Sequence, residues 1–285
     1  MGCPMWAHKP WQGRLLPAGL HRNETLTAYA TWCTAVEGNT TFYGLPTATT
    51  VAAWAQAAPE DFRFLFKLPR TVTHERRLRD VTAEMREFLD LLEPLGARAR
   101  TLSVQLPASF GPSDLDALDR FLGRMPDRHR CGVEVRHPAF FATSADGSRG
   151  PEGHALTALL ARRAAEWITF DTTVLFGAAP TSDAEREGWA QKPRLPRRTA
   201  AVSDAPIVRY VGRDDVDATV DGWQPWVDVM AGWLREGRSP TFFLHTPDND
   251  DAPELARRFH DEVRALVPEL APLPEPLRAT PTTLF

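Results

Sequence analysis

The chain has 285 residues, of which 43% are apolar and 25% charged, and its formal net charge is −4. That apolar content supports a large packed core and excludes a disordered chain or a collagen-like fibre, while the mild acidity leaves no general basic field to draw it onto nucleic acid or anionic lipid. Cys3, Cys33 and Cys131 form no Cys-x-x-Cys pair and read as reduced thiols, not as a zinc site or a disulfide framework. Residues 1–11 hold no basic segment followed by an apolar stretch, and no window reaches the ~20 apolar residues of a membrane helix. A cytoplasmic protein without a membrane partner is expected.

In chain order, short runs rich in β-branched and aromatic residues fall at 2–5, 35–39, 62–68, 101–106, 132–136, 167–171, 207–211 and 241–245. Segments of helical period lie between and after them, at 24–33, 49–57, 81–92, 114–124, 154–165, 224–235 and 253–266, with Asp80 and Ser113 as candidate N-caps. Eight strand-and-helix units at this length predict a single (β/α)8 TIM-type barrel over residues 1–267. A doubly wound open sheet is the second choice, since no Gly-x-Gly-x-x-Gly follows the first strand. The connections after strands five and six, 141–153 and 172–206, are long and belong on the carboxyl face, where barrel loops build sites. Strand one lacks an apolar lead-in before Met1, which suggests a natural start a few residues upstream. Residues 268–285 hold five prolines and predict an extended tail.

Alternate residues of a barrel strand point inward, and the last inward positions face the mouth. In Val133-Glu134-Val135-Arg136 the valines suit the helix layer, which leaves Glu134 and Arg136 inward. The same parity assigns Glu37 and Asn39, Lys67, Gln105, Asp171, Arg209 and His245 to the mouth, so seven consecutive strands end in an inward polar residue. Burying an unpaired charge costs several kcal/mol, so such a ring needs a reason. One reason is a self-neutralising ion-pair network; the other is catalysis or binding at the rim. Lys67 stands out further because Lys9, Lys67 and Lys192 are the only lysines among 33 basic residues, and a lysine retained among arginines is one whose pKa can shift.

His74, beyond strand three, and His137, after Arg136, belong on rim loops and with His245 add groups that titrate near neutrality. Glu, Asp and His on neighbouring strand ends can chelate a divalent metal, but Lys67, Arg136 and Arg209 in the same ring would repel it, so no metal ligand or cofactor is assigned. Lys67 could act as a Schiff-base nucleophile if desolvated, although neighbouring glutamates would raise its pKa. Trp6, Trp11, Phe42, Tyr43, Phe140 and Phe141 frame the same face and suit a sugar or nucleoside ring as well as a simple cap. The run 192–198 is the one dense basic patch, a solvated loop or a phosphate-backbone cradle.

Several of these segments are recognisable together. Tyr29-Ala30, Val36-Glu37-Gly38-Asn39-Thr40-Thr41-Phe42-Tyr43-Gly44-Leu45-Pro46, Phe62-Arg63-Phe64 with Lys67-Leu68-Pro69, Thr73-His74, Gln105-Leu106-Pro107 and Val133-Glu134-Val135-Arg136-His137 resemble the YecE-like family, a domain of unknown function. The resemblance runs from Gly2 to about Arg258, implies a TIM-type barrel and implies no reaction. Strand seven of the family reads Tyr-x-Arg followed by His-Gly, whereas this chain has Val211 at the His position beside Arg209 and Gly212. Strand eight of the family ends in asparagines, where this chain has His245. The expected function is therefore an enzyme of hydrolase, lyase or isomerase type acting on a small polar ligand that is anionic or sugar-like. Glu37 and Glu134 would serve as acid and base, Lys67 and Arg209 would hold an anionic group, and Asn39 and Gln105 would orient hydroxyls. The alternatives are a metal-dependent phosphodiesterase on nucleic acid and a non-catalytic binding barrel.

Overall fold

The computed structural model describes residues 1–144 and 147–277; residues 145–146 of the first long loop and Pro281 of the tail lie outside them. Nine strand segments form one parallel sheet: β1 (Gly2–Cys3), β2 (Ala35–Gly38), β3 (Arg63–Lys67), β4 (Thr101–Gln105), β5 (Arg130–Glu134), β6 (Glu166–Trp167), β7 (Thr169–Asp171), β8 (Ile207–Val211) and β9 (Thr241–His245). Segments β6 and β7 are two pieces of one stave, the first paired with β5 and the second with β8. The barrel of eight staves thus closes through the chain itself at Ile168, whose N–H still donates to Val133 O at 2.9 Å. The Glu166 carboxylate accepts from its neighbour's Trp167 N–H at 2.9 Å and also from Val202 N and Ser203 N, anchoring the return of the long sixth loop.

Helices α1 (Arg22–Tyr29), α2 (Ala48–Ala57), α3 (Thr82–Leu92), α4 (Leu115–Leu122), α5 (Pro151–Arg162), α6 (Asp183–Gln191), α7 (Val216–Arg235) and α8 (Ala252–Leu266) alternate with the staves. Helix α6 lies inside the long sixth connection, where the sequence reading assigns no helix; Ser182 caps it by accepting from Glu185 N at 3.0 Å. Helix α7 starts well before the predicted 224 and carries Pro225 in its interior. The two proposed N-caps are corrected. Asp80 holds a φ of 53° and lies one residue before the N-cap of α3, which is Val81, while Ser113 sits inside the turn Pro112–Asp114, where the Asp114 carboxylate accepts from Gly111 N at 3.1 Å.

Alternation along the staves separates two apolar regions. Val36, Phe64, Phe66, Leu102, Val104, Val133 and Val208 face the helices and pack with their apolar faces, while Ala35, Leu65, Ile168, Ile207 and Phe243 meet on the barrel axis. This inner plug, all of it buried, is the floor under the polar mouth. Burial of such side chains at about 25 cal/mol per Å² of apolar surface is the main drive to close the barrel. Cys3, Cys33 and Cys131 are free and buried, with the Cys3 and Cys33 thiols 3.9 Å apart. Past α8, the described tail has no helix or strand and turns back toward α1: Arg257 donates to Pro274 O at 2.8 Å and Leu277 N to Thr31 Oγ1 at 2.7 Å. Among the described residues no helix is long and apolar enough to cross a membrane.

Candidate active site at the barrel mouth

Arg209 rises from the middle of β8 into the barrel and joins two glutamates from distant staves. Its Nε and one terminal nitrogen donate to Glu37 on β2 at 2.6 and 2.9 Å, and its other terminal nitrogen donates to Glu134 on β5 at 2.5 Å. His245, ending β9, adds a bond from Nε2 to Glu37 Oε1 at 3.0 Å, and Arg136 closes on Glu134 Oε1 at 2.7 and 2.9 Å. The chain His245–Glu37–Arg209–Glu134–Arg136 therefore spans the mouth, and its three central members are at most 4% exposed. Phe170 lies beneath, with the Arg209 and Arg136 guanidinium carbons 4.8 and 5.4 Å from its ring centre.

Burial by itself would raise both carboxyl pKa values. Arg209 and His245 outweigh it at Glu37, holding that group well below the usual carboxylate range, and Arg209 with Arg136 brings Glu134 down to about 2. Both are thus ionised at neutral pH, and each of their oxygens accepts a hydrogen bond. His245 is lowered by burial, and as a neutral imidazole it donates its Nε2 proton to Glu37.

Lys67 behaves differently. It is half-buried at the end of β3, and no hydrogen bond or ion pair among the described residues engages its ammonium. Burial, with the Arg209 charge next in weight, lowers it to about 7, although Glu37 and Glu134 pull the other way. His74 stands near Lys67 and Arg136 on a wide turn, Thr71–Glu75. Its Nδ1 pairs with Thr73 Oγ1 at 2.9 Å, and burial and the Arg136 charge bring it down to about 4, so it is neutral. Lys192, reaching in from the sixth loop, feels the Arg209 and Arg136 charges and is lowered chiefly by burial. The mouth therefore gathers Lys67, Lys192, Arg136 and Arg209 with Glu37 and Glu134, while Glu187 acts on Lys192 from the sixth connection. An electropositive mouth on a net-negative protein is suited to an anionic ligand.

The remaining sequence candidates separate. Gln105 is buried at the end of β4 with its Oε1 unpartnered, beside Glu134 in register. Asn39 donates to Pro4 O at 2.8 Å and Glu37 Oε2 at 3.2 Å, leaving Oδ1 buried and unpartnered. His137 caps the turn Pro138–Phe141 by accepting from Ala139 N, a local structural role. Asp171 does not join the ring. Residues in register across a parallel ladder point the same way, and it is Phe170 that pairs with the inward Arg209. Asp171 faces the helix layer instead, accepting from Trp226 Nε1 at 2.7 Å and Arg197 Nε at 2.8 Å. Part of the basic run 192–198 is likewise drawn inward: Arg197 serves Asp171 and Arg198 stacks 4.4 Å from the Trp167 ring centre, while Arg194 stays exposed over Phe176. The approach of Lys192 to the mouth was missed by strand parity, which says nothing about where a long loop returns; its rarity as one of three lysines was the available signal.

Trp6 and Tyr43 lie to one side, with Glu37 and Asn39, around a cavity of about 770 Å³ between the β1 and β2 loops and α2. Among the described residues no three His, Cys, Asp or Glu side chains gather as a metal-ligand set.

A parallel α/β barrel with a charged cluster at the carboxyl ends of its strands defines the class. The family described as "Protein of unknown function DUF72" matches residues 1–278, and the chain belongs to that family. It is 36% identical over 274 residues to the UPF0759 protein YecE of Escherichia coli K12 and of O157:H7, covering 96% of each chain. The fold is shared with a DUF72 family protein (TM1631) from Thermotoga maritima MSB8, at TM-score 0.64 and 20% identity over 92% of this chain and 98% of that one. It is shared too with a DUF72 family protein (EF0366) from Enterococcus faecalis V583, at TM-score 0.62 and 18% identity over 87% and 94%.

Proposed function

We propose that this protein is an enzyme of hydrolase, lyase or isomerase type that binds a small anionic molecule at the barrel mouth and moves protons through Lys67. The observation that carries this reading is the unpaired Lys67 ammonium, lowered to about 7, in a ring where both glutamates are fully occupied by arginine and histidine donors. A lysine near neutrality can give and take a proton at working pH, and Arg136 beside it can hold an anionic group. Glu37 and Glu134 then act as positioning residues that keep Arg209 and Arg136 in place. The engagement of Arg197 with Asp171 and of Arg198 with Trp167 takes two of the arginines of the 192–198 run away from a nucleic-acid backbone cradle.

A second reading rests on the same saturation of the carboxylates, which equally suits a non-catalytic barrel whose mouth is closed by an ion-pair network. Thermal melting of the purified protein with inorganic phosphate and small mono- and dicarboxylates separates the two. Stabilisation by an anion that disappears in Lys67→Met, while that variant melts cooperatively on its own, supports the enzyme-like site. No stabilisation by any anion, with a large loss of stability in Glu134→Gln, supports the network.

A further inference from the structure

The cavity beside the mouth has a composition of its own. Its inner end is formed by Glu37, which also belongs to the ring, and by Asn39, whose Oδ1 is buried without a hydrogen-bond partner among the described residues. Glu37 is fully engaged within the ring, so the free acceptor here is Asn39 Oδ1, which asks for a hydroxyl or N–H donor from a ligand. Trp6 and Trp54 form a wall with ring centres 5.3 Å apart. Four large apolar side chains are strongly exposed among the described residues, and two of them, Tyr43 at 82% and Leu45 at 40%, stand on the lip of this cavity. Exposed apolar side chains on the lip of a concave, aromatic-walled pocket are surface that a ligand would cover.

We infer that this cavity is the subsite for a hydroxyl-bearing ring that carries an anionic substituent, the ring donating to Asn39 and lying against Trp6 and Tyr43 while the anion reaches Lys67 and Arg136. The inference deepens the proposed function and rests on it for the anionic end. A sugar phosphate and a nucleoside monophosphate share this chemistry. Aromatic faces suit either ring, and the Asn39 acceptor at the inner end suits a ribose or hexose hydroxyl.

Titration of the full chain with glucose 6-phosphate, AMP, glucose and inorganic phosphate, followed by tryptophan fluorescence and calorimetry, tests the assignment. At least one of the two phosphorylated rings should bind tenfold or more tightly than both glucose and phosphate, and which one does so identifies the ring. Tyr43→Ala, at an exposed position, and Ala53→Phe, which fills the cavity from α2, should each weaken the phosphorylated ring by tenfold or more while leaving phosphate binding within twofold. Phosphate binding that is abolished by Lys67→Met, combined with no gain from either ring, overturns the cavity assignment and leaves the anionic mouth standing. Absence of binding by all four compounds overturns both. Unchanged ring affinity in Tyr43→Ala and Ala53→Phe also overturns the subsite.

Discussion

Burial disfavours the charged form of both Lys67 and Glu134, and only Glu134 has ion-pair partners that override it. With its folded pKa at about 7 and an ordinary value of 10.5, Lys67 holds fewer protons in the folded chain than in the unfolded chain between those limits. Stability from this group therefore rises with pH from about 7 to 10.5. Lys67→Met should flatten that rise when wild type and variant are melted side by side at pH 7 and 9.5; parallel pH profiles would count against a depressed Lys67. Glu134 has the reverse sign. Its carboxylate stabilises the fold fully above its ordinary 4.5, and the contribution is lost as pH falls toward about 2. Glu134→Gln leaves Arg209 with one buried partner fewer, a change that should cost about 3–5 kcal/mol at neutral pH. The variant should also show a shallower acid transition than wild type in urea titrations between pH 5 and 2. Retention of wild-type stability would mean that the pair contributes little beyond neutral packing.

At the level of elements, the site depends on close contacts that place β8 and its neighbours. Helix α7 approaches β8 through Gly222, where an added Cβ would lie 2.0 Å from Val174 Cγ2 and 2.6 Å from the Tyr210 hydroxyl. Gly222→Ala should destabilise by about 1–3 kcal/mol through overpacking, read as a shift in the urea midpoint at unchanged slope. An unshifted midpoint would show that α7 rides loosely on the barrel. Helix α6 hangs on a different kind of contact: Ser182 caps its first turn, and Glu185, 1% exposed, accepts from Arg213 at 2.8 and 3.1 Å. Ser182→Ala should cost about 1 kcal/mol in the same assay. The Ser-x-x-Glu spacing of a capping box was present in the sequence at 182–185. That spacing does not specify a helix by itself, because the segment, with mostly polar and charged residues, has only a short apolar face to display helical period.

On the scale of the whole molecule, the chain is net negative while its barrel mouth is net positive, so an anion crosses a repulsive surface to reach an attractive site. Coulomb attraction at a partly solvated mouth is screened once the Debye length falls to about 10 Å near 0.1 M salt. Phosphate affinity should accordingly fall several-fold when ionic strength rises from about 0.02 to 0.2 M, measured by calorimetry, with little change in the affinity of an uncharged ligand. Salt-independent phosphate binding would place the anion elsewhere than among Lys67, Arg136 and Arg209. Closure through the broken stave at Ile168 belongs to this scale too, since the inner plug and the ring above it exist only when β5 and β8 are held across that gap.

Period and parity in the sequence were enough to specify eight staves, the barrel and the inward placement of Glu37, Lys67, Gln105, Glu134, Arg209 and His245, because side-chain alternation is a local property of extended backbone. The same rule misplaced Asp171. Parity must be counted from a known register, and the break at Ile168 and the pairing of Phe170 with Arg209 are set by strands far away in the chain. Only the tertiary structure decided which charges pair. Arg209 meets Glu37 across 172 residues and Glu134 across 75, so it takes up both glutamates and leaves Lys67 unpaired. Pair formation follows from distance and burial in three dimensions, and neither is a property of neighbouring residues in the chain.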